Sequence, residues 1–289
     1  MADAPRARSA GLRDGFGRLL RDPLGLIGLI LVVLMVGSAV LADVLAPYNP
    51  LGINVRARLQ PPSWAHLLGT DQLGRDIMSR LLVGGRVALE VALVAVGLSS
   101  GGGLVLGLAA GYGSRVVDNA VILVLDAVRS FPVVMFALAV VTLAGPSVET
   151  IILIVVVTSV PSYARIVRTR ALALRQTDFV LAQRAMGAGT LRILATDFLP
   201  NLIGPLVILA GMEIPLVITL EAGLSFLGFG IRPPTPSWGN ILNDGFNFIR
   251  DTPWMVIAGG IPLVATTLGF TFLGEALRDA FDPKLMHVK

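Results

Sequence analysis

The chain has 289 residues, 54% of them apolar and only 15% charged, with a mean hydropathy of +0.79. A soluble domain carries about a quarter charged residues, so lipid is the expected solvent for most of this chain. Cysteine is absent and the two histidines, His66 and His287, lie outside the apolar runs, which excludes disulfides, thiolate metal sites and histidine-based chemistry inside a membrane.

The net charge of +4 and a pI near 10.1 suggest a nucleic-acid partner only where basic residues cluster on a soluble face. Here they alternate with apolar runs, so the expected partner is membrane lipid and no nucleic acid.

The first apolar span runs over 24–45, long enough at 1.5 Å per residue to cross a hydrocarbon core of about 30 Å. A cleaved signal peptide competes for this stretch, because Arg6 to Arg21 resembles a charged leader and Val40-Leu41-Ala42 a small-residue cleavage site. The span exceeds the usual apolar region of such leaders, about 7–15 residues, and is expected to be retained. Further spans are predicted at about 87–111, 116–144, 150–167, 202–223 and 255–275, which makes an all-α membrane protein with about six transmembrane helices. The glycines from Gly97 to Gly113 suit close helix contact, and Pro132, Pro161 and Pro215 are tolerated where neighbouring groups satisfy the freed backbone. A soluble glycine-rich sheet is the alternative, and six stretches of membrane length argue against it.

Of the 23 Lys and Arg residues, only Arg56, Arg58, Arg75, Arg80, Arg232 and Arg250 fall in external segments if the first span leaves the cytoplasm, with Arg86 and Arg129 near span ends. The basic excess inside places both termini in the cytoplasm. Residues 1–20 then read as a cytoplasmic tail and 21–289 as one transmembrane domain. Its long segments are external at about 46–86 and 224–254 and cytoplasmic at about 168–201. In the first external segment, Pro47, Pro50, Pro61 and Pro62 predict extended or turned chain before a short helix near Asp71 to Leu82.

Within the cytoplasmic segment, Thr177 or Asp178 is suited to cap a short helix, and Asp178 also suits the positive end of its dipole. Gly187 supplies a stop, Thr190 a second cap, and Pro200 an interruption before the next span. The expected product is a helix–turn–helix knob carrying bulky Phe179 and Met186 beside small Ala182, Ala185 and Gly187, shaped for a groove on another protein. A solvated connector is the plainer reading of the same residues.

This loop resembles the coupling loop of permease subunits in binding-protein-dependent ATP-binding-cassette importers, which reads Glu-Ala-Ala, three residues, Gly, nine residues, Ile-x-Leu-Pro. Ala182, Gly187, Leu199 and Pro200 match, while Leu181, Gln183 and Asp197 stand at its Glu, second Ala and Ile positions. The stretches 21–28 with 45–50, 68–81, 224–240 and 277–284 resemble the C-type subunit of dipeptide and oligopeptide permeases. The resemblance implies a type I importer bundle, a homologous B-type permease subunit as heterodimer partner, two ATP-binding subunits and an extracytoplasmic solute-binding protein. It also implies a bacterial cytoplasmic membrane, with ATP and Mg in the partner ATPases and no cofactor in this chain. The coupling residues it implies are Asp178, Phe179, Ala182, Arg184, Ala185, Met186, Gly187, Leu199 and Pro200.

An ATPase needs a phosphate-cradling loop ending in lysine, and the only lysines, Lys284 and Lys289, follow none. Energy is therefore expected from elsewhere, and no catalytic or metal-binding residue is assigned. Charges at membrane depth face an interior or a water-filled path, which makes Glu213, Glu221, Asp126 and Arg129 candidates for the translocation path. Glu213 has a structural hydrogen bond as its competing role, Glu221 a place at the external interface, and Asp126 with Arg129 an ion pair at helical spacing. Asp71, Gly74, Arg75, Asp76 and Trp238 are candidates for docking a binding protein, against plain turn and cap chemistry for the first four. Trp64, Trp238 and Trp254 are alternatively interfacial anchors. Di- or oligopeptides are the expected solute, with nickel complexes or another small solute as alternatives. A gradient-driven secondary transporter shares broken helices and buried carboxylates but leaves the knob without a role, and an intramembrane enzyme, without histidine or cysteine in the spans, is left with only a carboxylate pair.

Overall fold

The computed structural model of the protein describes residues 22–281. The expected N-terminal tail (1–20), Lys284, Lys289, His287 and the end of the 277–284 stretch lie outside them. In chain order the helices are α1 (Pro23–Val40), α2 (Ala42–Leu45), α3 (Ile77–Tyr112), α4 (Arg115–Arg129), α5 (Val133–Ala144), α6 (Val148–Leu174), α7 (Asp178–Ala185), α8 (Thr190–Ile193), α9 (Leu199–Phe226), α10 (Trp238–Asn247) and α11 (Trp254–Phe281). Among the described residues there is no strand beyond one isolated bridge between Thr70 and Asp76.

Among the described residues five helical stretches are long and apolar enough to cross a bilayer, and the bent pair α4–α5 makes a sixth if it is one span. The α3 helix has 36 residues, about 54 Å at the α-helical rise, so it overshoots the hydrocarbon core. It absorbs both the expected short helix after Asp71 and the second span, because nothing between Ile77 and Tyr112 breaks the ladder. The expected third span is corrected: it bends by 85° between Arg129 and Val133. Pro132 has no N–H and disfavours helical backbone at Phe131, so the helix stops there and restarts. Pro161, by contrast, lies inside the continuous α6.

The described residues divide into two compact units, one made of those up to Glu90 with those from Ile214 onward, the other Val91–Glu213. In the first unit, α1 packs along α11 and α10 packs on α11. A Cβ on Gly28 would sit 2.6 Å from the Leu273 nitrogen, and one on Gly269 2.9 Å from the Leu31 Cβ. Small residues thus bring the two helices together, as expected where lipid removes the hydrophobic drive for association. Most of the remaining α1 surface is exposed apolar side chain, including Ile27, Ile30, Val33 and Leu34, a surface suited to acyl chains. Arg86 of α3 ties to the end of α1 by donating to the Ala39 carbonyl at 3.1 Å and to Asp43 at 3.0 Å.

In the second unit, α4 and α5 pack on α6. Gly103, Gly107 and Gly111 of α3 face Tyr163, Ala164, Val167 and Ala171 of α6 so closely that an added Cβ would lie 2.2, 2.5 and 2.7 Å from the nearest atom. Spaced four apart, these glycines form one helix face.

Candidate functional site

The knob between α6 and α9 is built within the second unit. Thr177 occupies the N-cap position of α7, but its hydroxyl donates to the Leu174 carbonyl at 2.6 Å and makes no capping bond. Asp178 is the first helical residue, where it suits the dipole. Gly187, at φ +81°, ends the helix. Its N–H donates to the Arg184 carbonyl and the Ala188 N–H to the Gln183 carbonyl, both at 3.0 Å, which makes a Schellman turn. The expected Thr190 cap is corrected: Gly189 holds the N-cap position of α8, and Thr190 is already helical.

After α8 the backbone widens into a π-helical turn at Leu194–Phe198, closed by the Leu199 N–H on the Leu194 carbonyl. Pro200 supplies the reason. It has no N–H for the Thr196 carbonyl and its ring crowds that carbonyl, so a wider turn relieves the join to α9. Val180, Ile193 and Phe198 are buried, whereas Phe179, Leu181, Met186 and Leu191 are exposed, Met186 at 78% and Leu191 at 83%. The knob therefore hides an apolar side and displays another. Tyr112, the last residue of α3, holds it: the Arg184 guanidinium lies 4.8 Å from the Tyr112 ring centre, and Phe198 meets the same ring edge-on at 5.3 Å. Nothing in the sequence marked Tyr112 as part of this assembly.

The intramembrane carboxylates separate into different surroundings. Glu213 of α9 lies beside Tyr163 of α6, and its Oε2 and the Tyr163 hydroxyl are both buried without a well-formed hydrogen bond. Glu221 is fully buried in the first unit, and its Oε1 accepts from Ser225 at 2.7 Å and from Ser237 at 2.8 Å. It ties α9 to the N-cap of α10, since Ser237 also accepts from the Gly239 N–H. Glu221 is thus a buried link between α9 and the segment leading to α10. Asp126 pairs with Arg165 of α6 and not with Arg129, because the α4–α6 packing outcompetes the helical neighbour. Asp118 and Arg168 make a second, two-pronged pair between the same helices, at 2.5 and 2.7 Å.

In the segment between α2 and α3, Asp71 accepts from Arg75 Nε at 2.6 Å, from Arg80, and from the backbone N–H groups of Leu73 and Arg75. Asp244 of α10 approaches Arg75 at 3.7 Å and Arg80 at 3.5 Å, so two cations face two anions. Asp76 caps α3 by accepting from the Ser79 N–H at 2.8 Å and also accepts from the Ser79 hydroxyl, and it meets His66 Nδ1 at 2.9 Å. Asp71, Gly74, Arg75, Asp76 and Trp238 are all buried, so the expectation that they present a docking face is corrected. The charged side chains of Asp71, Arg75 and Asp76 brace the segment, because buried charge needs partners inside. Trp64 is 98% exposed and Trp238 1%, a split that tryptophan content alone does not reveal.

A family model described as the binding-protein-dependent transport system inner membrane component matches residues 103–287. The chain belongs to that family. A second model, for the N-terminal transmembrane domain of oligopeptide transport permease C, matches residues 12–62 of the permease. The dipeptide transport system permease protein DppC of Alkalihalophilus pseudofirmus is 36% identical, covering 94% of this chain and 90% of the relative. DppC of Haemophilus influenzae is 37% identical over 90% of both, and a putative peptide transport system permease of Brucella abortus 38% identical over 93% and 90%. The fold resembles the inward-facing methionine ABC transporter MetNI, with a TM-score of 0.55 and 20% identity over 71% of this chain and 98% of that one. The permease is a multi-pass membrane protein, the membrane component of an ATP-driven importer whose other subunits hydrolyse the nucleotide. Among the described residues no group of three or more His, Asp or Glu is placed to hold a metal.

Proposed function

We propose that this chain is the C-type permease of a bacterial importer of di- and oligopeptides, set in the cytoplasmic membrane with both termini inside. Its partners on this reading are a B-type permease, two ATPases holding ATP and Mg, and a solute-binding protein outside. The observation that carries it is the knob between α6 and α9: a Schellman-closed turn that displays Phe179, Leu181, Met186 and Leu191. Such a face is costly to leave in water and suits a groove on a partner. Closure of the ATPases pushes the knob and rocks the helices between inward and outward openings. The peptide assignment is supported by the names of the relatives.

Glu213 is the residue we assign to the solute path, where its carboxylate meets the amino end of a peptide. External docking falls to the exposed parts of 46–86 and 224–254, with the Asp71 cluster holding the shape of the first.

The test is reconstitution of the complete complex in liposomes with Gly187→Pro beside the wild type. The substitution removes the N–H that closes the turn and forces φ away from +81°. Uptake of a labelled dipeptide is expected to fall with assembly retained. Full coupling in the variant overturns the knob's role, and uptake of nickel complexes in place of peptide overturns the substrate.

A further inference from the structure

Two of the positions at which the cytoplasmic loop departs from the family pattern touch each other. Gln183 Nε2, on α7, donates to Asp197 Oδ1, in the π-helical turn, at 3.1 Å. Where the pattern has Ala and Ile, an apolar pair, this chain has a donor and an acceptor that satisfy each other. Asp197 is held further by its neighbours: Oδ2 accepts from the Thr196 hydroxyl at 3.0 Å, and the Asn201 amide, on the first turn of α9, donates to the Asp197 carbonyl at 2.5 Å.

We propose that Gln183 and Asp197 are positioning residues that form a strut carrying force from the knob to the start of α9. The proposal rests on the reading of this loop as the coupling element. Its physical basis is the shape of the knob. Between α7 and α9 the chain runs through the glycine turn at Gly187, the four-residue α8 and the π-helical turn, none of them stiff on its own. A load applied at Phe179 or Met186 would fold this connection before it moved α9. The Gln183–Asp197 bond spans 14 residues and bypasses the soft stretch. On the other flank of α7, Arg184 stacks over Tyr112, so the two neighbouring residues brace the knob to two different helices. The departures from the pattern are then a coupled exchange, and neither is neutral without the other.

The experiment is uptake per ATP hydrolysed by the reconstituted complex, with subunit co-purification as the measure of assembly. Hydrogen bonds to a charged acceptor shift equilibria by about tenfold or more when buried, and this one is partly exposed. Gln183→Ala and Asp197→Ala are each expected to lower transport per ATP by about three- to tenfold, scaled from that value. Asp197→Asn keeps an accepting oxygen and is expected to stay near the wild type. The double variant Gln183→Ala with Asp197→Ile restores an apolar pair and is expected to recover most of the loss. Wild-type coupling in Gln183→Ala, or a double variant whose loss is the sum of the two singles, overturns the strut. Should Asp197→Ala not assemble, Gln183→Ala and the double variant decide the matter. Gly187→Pro in the same assay separates the two layers. If it uncouples while Gln183→Ala does not, only the strut falls; if it leaves coupling intact, the reading of the loop falls and the strut with it.

Discussion

The Trp238 indole N–H donates to the Leu81 carbonyl at 2.9 Å, across 157 residues of sequence. The ring lies against Gly84 and Gly85, where an added Cβ would come 3.2 and 3.0 Å from it. A large side chain at the head of α10 is thus seated on α3, with its one polar atom satisfied.

Trp238→Ala therefore leaves a cavity and an unused carbonyl. Loss of a buried aromatic costs about 3–5 kcal/mol, so the purified protein is expected to melt markedly lower in detergent. Trp64→Ala, at a fully exposed ring, serves as the comparison and is expected to leave the melting temperature unchanged.

The arginine pair between α2 and α3 gives a graded prediction. Asp71→Asn leaves Arg75 and Arg80 buried with Asp244 as their remaining anion, and breaking a buried ion pair costs about 3–5 kcal/mol. Asp244→Asn removes an anion that is more exposed and stands at 3.5–3.7 Å, so its effect on thermal stability is expected to be smaller. Equal losses would show that the two acids share the load.

Close approach of α3 and α6 makes Gly107 intolerant of size. A Cβ there would lie 2.5 Å from the Val167 Cβ, and forced overpacking costs about 1–3 kcal/mol. Gly107→Leu is expected to reduce the yield of assembled complex, while Gly97→Ala, with nothing within 4 Å of the new atom, is expected to express normally.

Glu213 and Glu221 are predicted to respond differently to the same chemical change. Glu221→Gln disturbs a buried hub bonded to Ser225 and Ser237 and should show first as lost stability. Glu213→Gln keeps the shape and removes the charge, so peptide uptake should fall while the amount of protein in the membrane does not. Unchanged uptake would remove Glu213 from the path.

The lipid-facing character, the positions of the long apolar helices and the glycine end of α7 were legible because each depends on local pattern: run length, the spacing of small residues, and a residue free to take positive φ. The glycines at 103, 107 and 111 announced a close helix contact but not its partner. The break at Pro132 was a local signal as well, yet whether proline ends a helix or is carried through it depends on what packs around it. Pro132 ends one and Pro161 does not.

Pairing was the part that sequence left open. Asp126 had Arg129 one turn away and took Arg165 instead; Asp71 and Asp76 read as docking candidates or as turn and cap chemistry, and while Asp76 does cap a helix, Asp71 holds a buried ion cluster that the sequence did not announce. Composition and periodicity determine how far each segment prefers lipid or water and where its backbone must turn, because those free energies are sums over neighbours in the chain. Which charge meets which, and whether Gln183 finds Asp197, is decided by packing between distant segments, since desolvated groups accept only the partner that the fold brings within reach.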